Sequence, residues 1–388
     1  MKISKTNTKD LSESELAILI EKNKKIYTEF YDFSYLKSII NNISDFIDKY
    51  YFRSKFIGFE NMPQRNNPDT PLIYASNHSG MAFPWDGMIF GGGLLKMNNY
   101  NLNKSVRVLA APMLSETPLM NPYLIQDLWK RCGGVDATSL NFETMMHYKD
   151  ANLLLYPEGV PGIGKGFNKR YHLQRFATSF IRMSIKYQTD IIPFATVNGE
   201  YINPYSYKSI KVNRIVNKIG IPFLPLGLST LGVILQPWVF YCAFPANLTY
   251  VMGKRIKPYE MTDKPFDKIG RDDLVRIANN VRRQMQEELI EAVRKYGQKP
   301  YRAKEFFSIT IKNLSKAFYF SPTGWPLIFL EHERLYKKSK GKQVNMKIRF
   351  FSFIKMIFMN PWALTFYLPV IGWIPIIWRI FRRRSHGA

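Results

Sequence analysis

The stretch Ala151-Asn-Leu-Leu-Leu-Tyr-Pro-Glu-Gly159 is an apolar run closed by a proline, a carboxylate and a glycine. A run this short, ended by turn residues, predicts a strand buried on both faces, with Glu158 and Gly159 in the loop that leaves it. The same pattern recurs on either side. Pro71-Leu-Ile-Tyr-Ala-Ser76 ends at Asn77 and His78, and Val106-Arg-Val-Leu-Ala-Ala111 follows. Ile191-Ile-Pro-Phe-Ala-Thr-Val197 and Asn247-Leu-Thr-Tyr-Val-Met-Gly253 complete the set. Helical segments lie between them, among them residues 141–149 and 174–187. A charged amphipathic helix over 270–297 places Leu274, Ile277, Val281, Met285 and Leu289 on one side. Strands alternating with helices predict an α/β fold with a mixed sheet flanked by helices. Loops at strand ends collect functional residues in such sheets, and His78 and Glu158 both directly follow predicted strands.

Outward from the sheet the character changes. Residues 1–50 read as helical. Ser12 and Ser14 are cap-like ahead of Leu16, Ile18, Leu19 and Ile20, and Leu36, Ile39, Ile40, Ile43, Phe46 and Ile47 recur at helical period. That face suits packing on the core or lying at a membrane interface. The sequence opens on a polar stretch with no signal-type apolar core. Residues 301–388 are basic and aromatic.

The chain holds 55 Lys and Arg against 30 Asp and Glu, a net charge of +25 that calls for an anionic partner. Residues 219–253 contain no Asp, Glu, Lys or Arg and are broken by Pro222, Pro225, Pro237 and Pro245. A second apolar zone over 350–381 is flanked by Lys347 and Arg349 before it and by Arg379, Arg382, Arg383 and Arg384 after it. Long charge-free stretches are foreign to nucleic-acid grooves, so the expected partners are membrane lipids at an anionic bilayer surface, with no nucleic acid. Cations at both flanks place both ends of the second zone on the cytoplasmic face, as a re-entrant hairpin or an interfacial helix pair. Cys132 and Cys242 have no metal-like spacing and imply neither a zinc site nor a disulfide framework.

Two constellations carry chemistry. In Asn77-His-Ser-Gly-Met-Ala-Phe-Pro-Trp-Asp86, a carboxylate can fix the imidazole tautomer and stabilise the imidazolium while the other ring nitrogen takes a proton from a hydroxyl. The chain has only 5 His, which makes this neighbourhood less accidental. In Tyr156-Pro-Glu-Gly-Val-Pro-Gly-Ile-Gly-Lys165-Gly-Phe-Asn-Lys169-Arg170, glycines and three cations suit a polar head group, or else form a flexible loop with a solvated basic face. Neither a P-loop nor a Gly-x-Ser-x-Gly elbow is present.

At these blocks the sequence resembles the glycerolipid acyltransferase superfamily, which includes the lysophosphatidate acyltransferases. His78 with Asp86 stands for its first motif and Tyr156-Pro157-Glu158-Gly159 for its third. Gly133-Gly134-Val135 falls where the second motif belongs, and Ile191-Ile-Pro193-Phe194 where the fourth does. The run from Gly162 to Phe176 resembles a bacterial subgroup with a lengthened Asn-His-Ser-Gly loop. Phe52 to Pro63 looks like the segment leading into the first motif. The resemblance covers residues 51–260 and implies an acyltransferase-like mixed α/β domain over 51–300, with membrane-contacting helical segments at both ends. It also implies His78 as general base, Asp86 as its orienting partner, and Asn77, Glu158 and Gly159 in substrate binding. The donor would be acyl-CoA or acyl-carrier protein, with no cofactor, since a thioester is already activated.

Three departures bear on the acceptor. Seven residues separate His78 from Asp86, so the loop must bulge to return the carboxylate. Val160-Pro161 replaces the Thr-Arg of the third motif, leaving Lys165, Lys169 or Arg170 to meet a phosphate. Val135-Asp-Ala-Thr138 lacks the usual basic residue of the second. A neutral lipid alcohol is therefore an alternative acceptor, and a catalytically silent lipid-binding protein is the rival from another class.

Overall fold

The computed structural model describes residues 11–80, 83–117, 119, 121–217, 223–224, 226–346, 348 and 352–385. The opening polar residues, residues 219–222, Pro225, Lys347, Arg349 and Phe350 lie outside these, as do the side chains of Arg382, Arg383 and Arg384. Seven strands are β1 (Lys55–Ile57), β2 (Ile73–Ser76), β3 (Val106–Ala110), β4 (Val135–Asp136), β5 (Asn152–Leu155), β6 (Ile191–Val197) and β7 (Thr249–Met252). They form one sheet in the order β1-β7-β6-β2-β5-β3-β4. Every neighbouring pair is parallel except β6 with β7, so the sheet is mixed and flanked by helices, as expected. The five expected strands are all present. β1 and β4 are additional, at three and two residues.

The central strands read as continuous apolar runs because helices cover both faces. Tyr74, Leu154, Ile192 and Phe194 point into one core, while Ile73, Ala75, Leu153, Leu155, Ile191 and Ala195 point into the other. The first core takes in the helix Phe33–Ile39, which runs on through wide π-type turns to Phe52, together with the helices Trp85–Met97 and Trp325–Lys338. Ile39, Ile43 and Ile47, on the apolar face read from sequence, are fully enclosed there. The second core is closed by Ser139–Met145, Ser179–Tyr187 and the 26-residue helix Arg271–Tyr296.

Local chemistry sets the helix ends. Ser12 caps Glu13–Asn23 in a reciprocal pair with Glu15, which satisfies two otherwise orphaned backbone donors. The helix expected from residue 174 begins only at Ser179. Before it, Leu173 N–H donates to Gln286, Gln174 N–H to Glu158, and Ala177 N–H to Pro157 O, so this backbone is committed to the site loop. Among the described residues, no helix is long and apolar enough to cross a membrane.

Candidate active site

β2 and β5 are parallel neighbours with Ala75 opposite Leu155, so the loops that leave them emerge side by side at one edge of the sheet. That register brings His78 to the third-motif segment. The Asn77 amide behaves like a further peptide unit of β2. Its Nδ2 donates to Thr196 O at 2.9 Å and its Oδ1 accepts from Thr196 N–H at 2.7 Å, which ties the loop to β6. Ser76 Oγ adds a 2.9 Å contact with Thr196 Oγ1. Asn77 is thus placed to hold the loop from beneath.

The expected return of the Asp86 carboxylate to His78 is present, and the start of a helix supplies it. Asp86 lies in the first turn of Trp85–Met97, just after Pro84, and its Oδ2 stands 3.1 Å from His78 Nδ1. An ionised carboxylate only accepts, so Nδ1 carries the hydrogen and Nε2 is left as the basic nitrogen. The Asp86 side chain is wholly buried, while that of His78 is 13% exposed. Asp86 is fixed further by Gly87 N–H donating to Oδ1 at 2.9 Å and by Tyr250 Oη–H donating to its carbonyl at 2.8 Å. The imidazole stacks on Tyr156 with centroids 4.1 Å apart. Gly87 makes room for that ring: a Cβ there would come within 2.8 Å of Tyr156 Oη. In the sequence Tyr156 stands only as a strand end and the first residue of the third motif, with no signal of its stacking on His78.

Glu158 is buried and turned towards the loops. Its Oε1 accepts from His78 N–H at 3.0 Å and its Oε2 from Gln174 N–H at 2.6 Å. Burial raises its pKa, opposed by Lys165 and by these two donors. Gly159, at φ +58°, turns the chain immediately afterwards. Lys165 was expected to help hold a polar head group, or else to sit in a flexible, solvated basic loop. Instead its side chain is 2% exposed, with Nζ 3.9 Å from Glu158 and 3.4 Å from Glu200. Lys169 and Arg170 are exposed, and Arg170 lies over the Phe167 ring at 4.9 Å. Glu200, absent from the sequence reading, is 42 residues beyond Glu158 and carries no motif signal of its own; only the fold brings it to Lys165.

His78 lies on the wall of an apolar cavity of about 200 Å³. Met88, Gly91 and Leu95 of the helix Trp85–Met97 form one side, Val106 and Val108 of β3 another, and Phe223 and Phe240 help to close it. Gly91 faces open space, with nothing within 4 Å of where a Cβ would stand. Cys132 also lines the cavity, but burial pushes its thiol up to about 12, and burial pushes Cys242 up to about 11. Neither is a thiolate at neutral pH. Among the described residues, no group of three His, Cys, Asp or Glu is placed to hold a metal ion.

Fold and site together define a mixed α/β protein that carries a His–Asp pair on the wall of an apolar cavity. No family model matches the chain. Uncharacterized proteins of Mycobacterium tuberculosis and Mycobacterium bovis are each 25% identical to it over 197 residues, which is 50% of this chain and 51% of theirs. One from Mycobacterium leprae is 25% identical over 197 residues, 49% of its length. The chain therefore spans about half the length of the curated relatives it matches. Among solved structures, it is similar to the 1-acyl-sn-glycerophosphate (LPA) acyltransferase PlsC from Thermotoga maritima. The TM-score is 0.36 and the identity 13%, over 66% of this chain and 81% of that one.

Proposed function

We propose that this protein is an O-acyltransferase that moves a fatty acyl group from acyl-CoA or acyl-carrier protein to a lipid hydroxyl. The observation that carries the reading is the His78–Asp86 pair, 3.1 Å apart, beside an apolar cavity suited to an acyl chain. His78 Nε2 takes the proton of the acceptor hydroxyl as its oxygen attacks the thioester carbonyl carbon. Asp86 holds the imidazolium that forms. The tetrahedral intermediate collapses, the C–S bond breaks, and the thiolate leaves and takes the proton back from His78. A new ester and a free thiol result, with no acyl-enzyme, which is consistent with two buried thiols whose pKa values are raised. Glu158 acts as a positioning residue through His78 N–H.

Lysophosphatidate is the acceptor that the motif resemblance suggests. A specific observation favours a neutral lipid alcohol beside it: the one buried cation of the third-motif loop, Lys165, is already flanked by Glu158 and Glu200. Lys169 and Arg170 remain on the surface for an anionic donor or acceptor. The test is acyl transfer from labelled acyl-CoA and acyl-carrier protein, in detergent, to lysophosphatidate, other lysophospholipids and neutral glycerides. Transfer to at least one acceptor is expected. Folded protein that transfers to none of them would favour the catalytically silent lipid-binding reading.

A further inference from the structure

Carboxylates are distributed unevenly along the chain. Residues 201–259 and 334–388 contain no Asp or Glu, although the protein has 30 of them. The fold brings parts of these two distant stretches together. Val370 N–H donates to Leu235 O at 2.7 Å, Trp373 Nε1–H to Ile234 O at 2.7 Å, and Gln236 Nε2–H to Leu368 O at 2.6 Å. At that junction Leu231, Ile234, Leu235, Val370, Ile371 and Ile374 are between 41% and 66% exposed. A monomeric soluble surface rarely gathers so many branched aliphatic side chains in one place, and a patch of this kind marks an interaction site.

We infer that this composite surface docks on an anionic lipid bilayer, lying in the interface without spanning it. Charge decides the occupant. Lys208, Lys211 and Arg214 are exposed within the first stretch, on a segment hydrogen-bonded to the part that leads into Leu231, through Tyr207 with Leu226 and Leu224 with Asn213. Neither stretch itself supplies a carboxylate to repel lipid phosphates, and cations near an anionic surface are attracted to it. A second copy of the chain would instead set two acid-free faces against each other. Nucleic acid gains little from exposed aliphatic side chains. The element also connects inward: Phe223 and Phe240, in the same stretch, line the cavity beside His78. One stretch thus contributes both to the outer apolar face and to the cavity wall. Docking itself does not depend on acyl transfer.

The test is flotation of the full chain with vesicles of phosphatidylcholine alone and of phosphatidylcholine mixed with phosphatidylglycerol. Wild type should float with the mixed vesicles and less with the neutral ones. Leu231→Glu/Ile374→Glu should reduce partitioning by about tenfold or more, since apolar burial is replaced by like charge. Leu231→Asn/Ile374→Asn removes the apolar area without adding charge and stands in if the first pair does not fold. Ile18→Glu/Ile290→Glu changes equally exposed aliphatics elsewhere and should float as wild type does. Wild type left in the soluble fraction, a folded surface variant that floats unchanged, or an equal loss in the Ile18/Ile290 control would each overturn the inference. Acyl transfer measured in detergent on the same variants should persist. Its absence from wild type would count against the enzymatic reading alone.

Discussion

His78 and His332 each have a polar partner on one ring nitrogen, and their surroundings give them opposite characters. His78 Nδ1 faces the buried carboxylate of Asp86, and the ring borders an apolar cavity. His332, on the helix Trp325–Lys338, is fully enclosed, with Nε2 2.8 Å from Ser38 Oγ. Its Nδ1 has no partner among the described residues. Burial lowers its pKa to about 4, against the pull of Glu333 and with that of Arg131. Tyr35 and Tyr336 cover its ring. His332 stays neutral and cross-links two elements of the core. At His78, Asp86 is placed to hold the cation that forms when a proton arrives. What separates a candidate base from a packing residue is therefore a carboxylate on one nitrogen and room for a substrate at the other.

The comparison can be broken at four points. Replacing the base should have the largest effect: His78→Ala should lower acyl transfer by about 10³-fold or more, and Asp86→Asn by about 10²-fold, measured as kcat in detergent. Next is the titration of His332. A folded pKa below the ordinary 6.5 means that the fold prefers the neutral ring. Its contribution is fully present above pH 6.5 and is lost as pH falls towards 4, to a total of about 3 kcal/mol. In His332→Asn, urea-unfolding stability should fall less between pH 7 and pH 4 than in wild type, by an amount of that order. An equal fall in both proteins would show that His332 titrates normally.

A smaller effect is expected at the cavity wall. Gly91→Leu should fill open space and shift donor preference towards shorter acyl chains by about tenfold, read from kcat/KM across a chain-length series. An unchanged profile would mean that acyl chains do not enter there. The smallest concerns the ring under His78. Tyr156 Oη is buried without a partner among the described residues. Tyr156→Phe keeps the stacked ring, so turnover should change less than about threefold while stability holds or rises by about 1 kcal/mol. A large loss of turnover would give the hydroxyl a role that stacking does not explain.

The legible parts of the fold were those in which one stretch of chain carries its own signal. β2, β5 and β6 lie in the middle of the sheet with apolar cores on both faces, so their runs stand out. β1 and β4 are too short to show a period. The start of Ser179–Tyr187 was misplaced because distant partners, Glu158 and Gln286, take up the preceding backbone donors. The site divides in the same way. His78, Asp86 and Glu158 were visible because each lies in a compact motif beside a strand end. Lys165 was legible as a cation for a polar head group or in a solvated basic loop, but not as a buried one, because Glu200, which helps enclose it, is far along the chain. Asn77 was visible only as a neighbour of His78; its hold on Thr196 depends on β2 lying beside β6.

The most direct test of the contrast between the two histidines is turnover of one labelled acyl thioester by wild type, His78→Ala and His332→Asn, each shown to be folded at neutral pH. The account predicts that His78→Ala falls by about 10³-fold while His332→Asn stays within a few-fold of wild type. Folded His78→Ala that turns over as wild type does would contradict it.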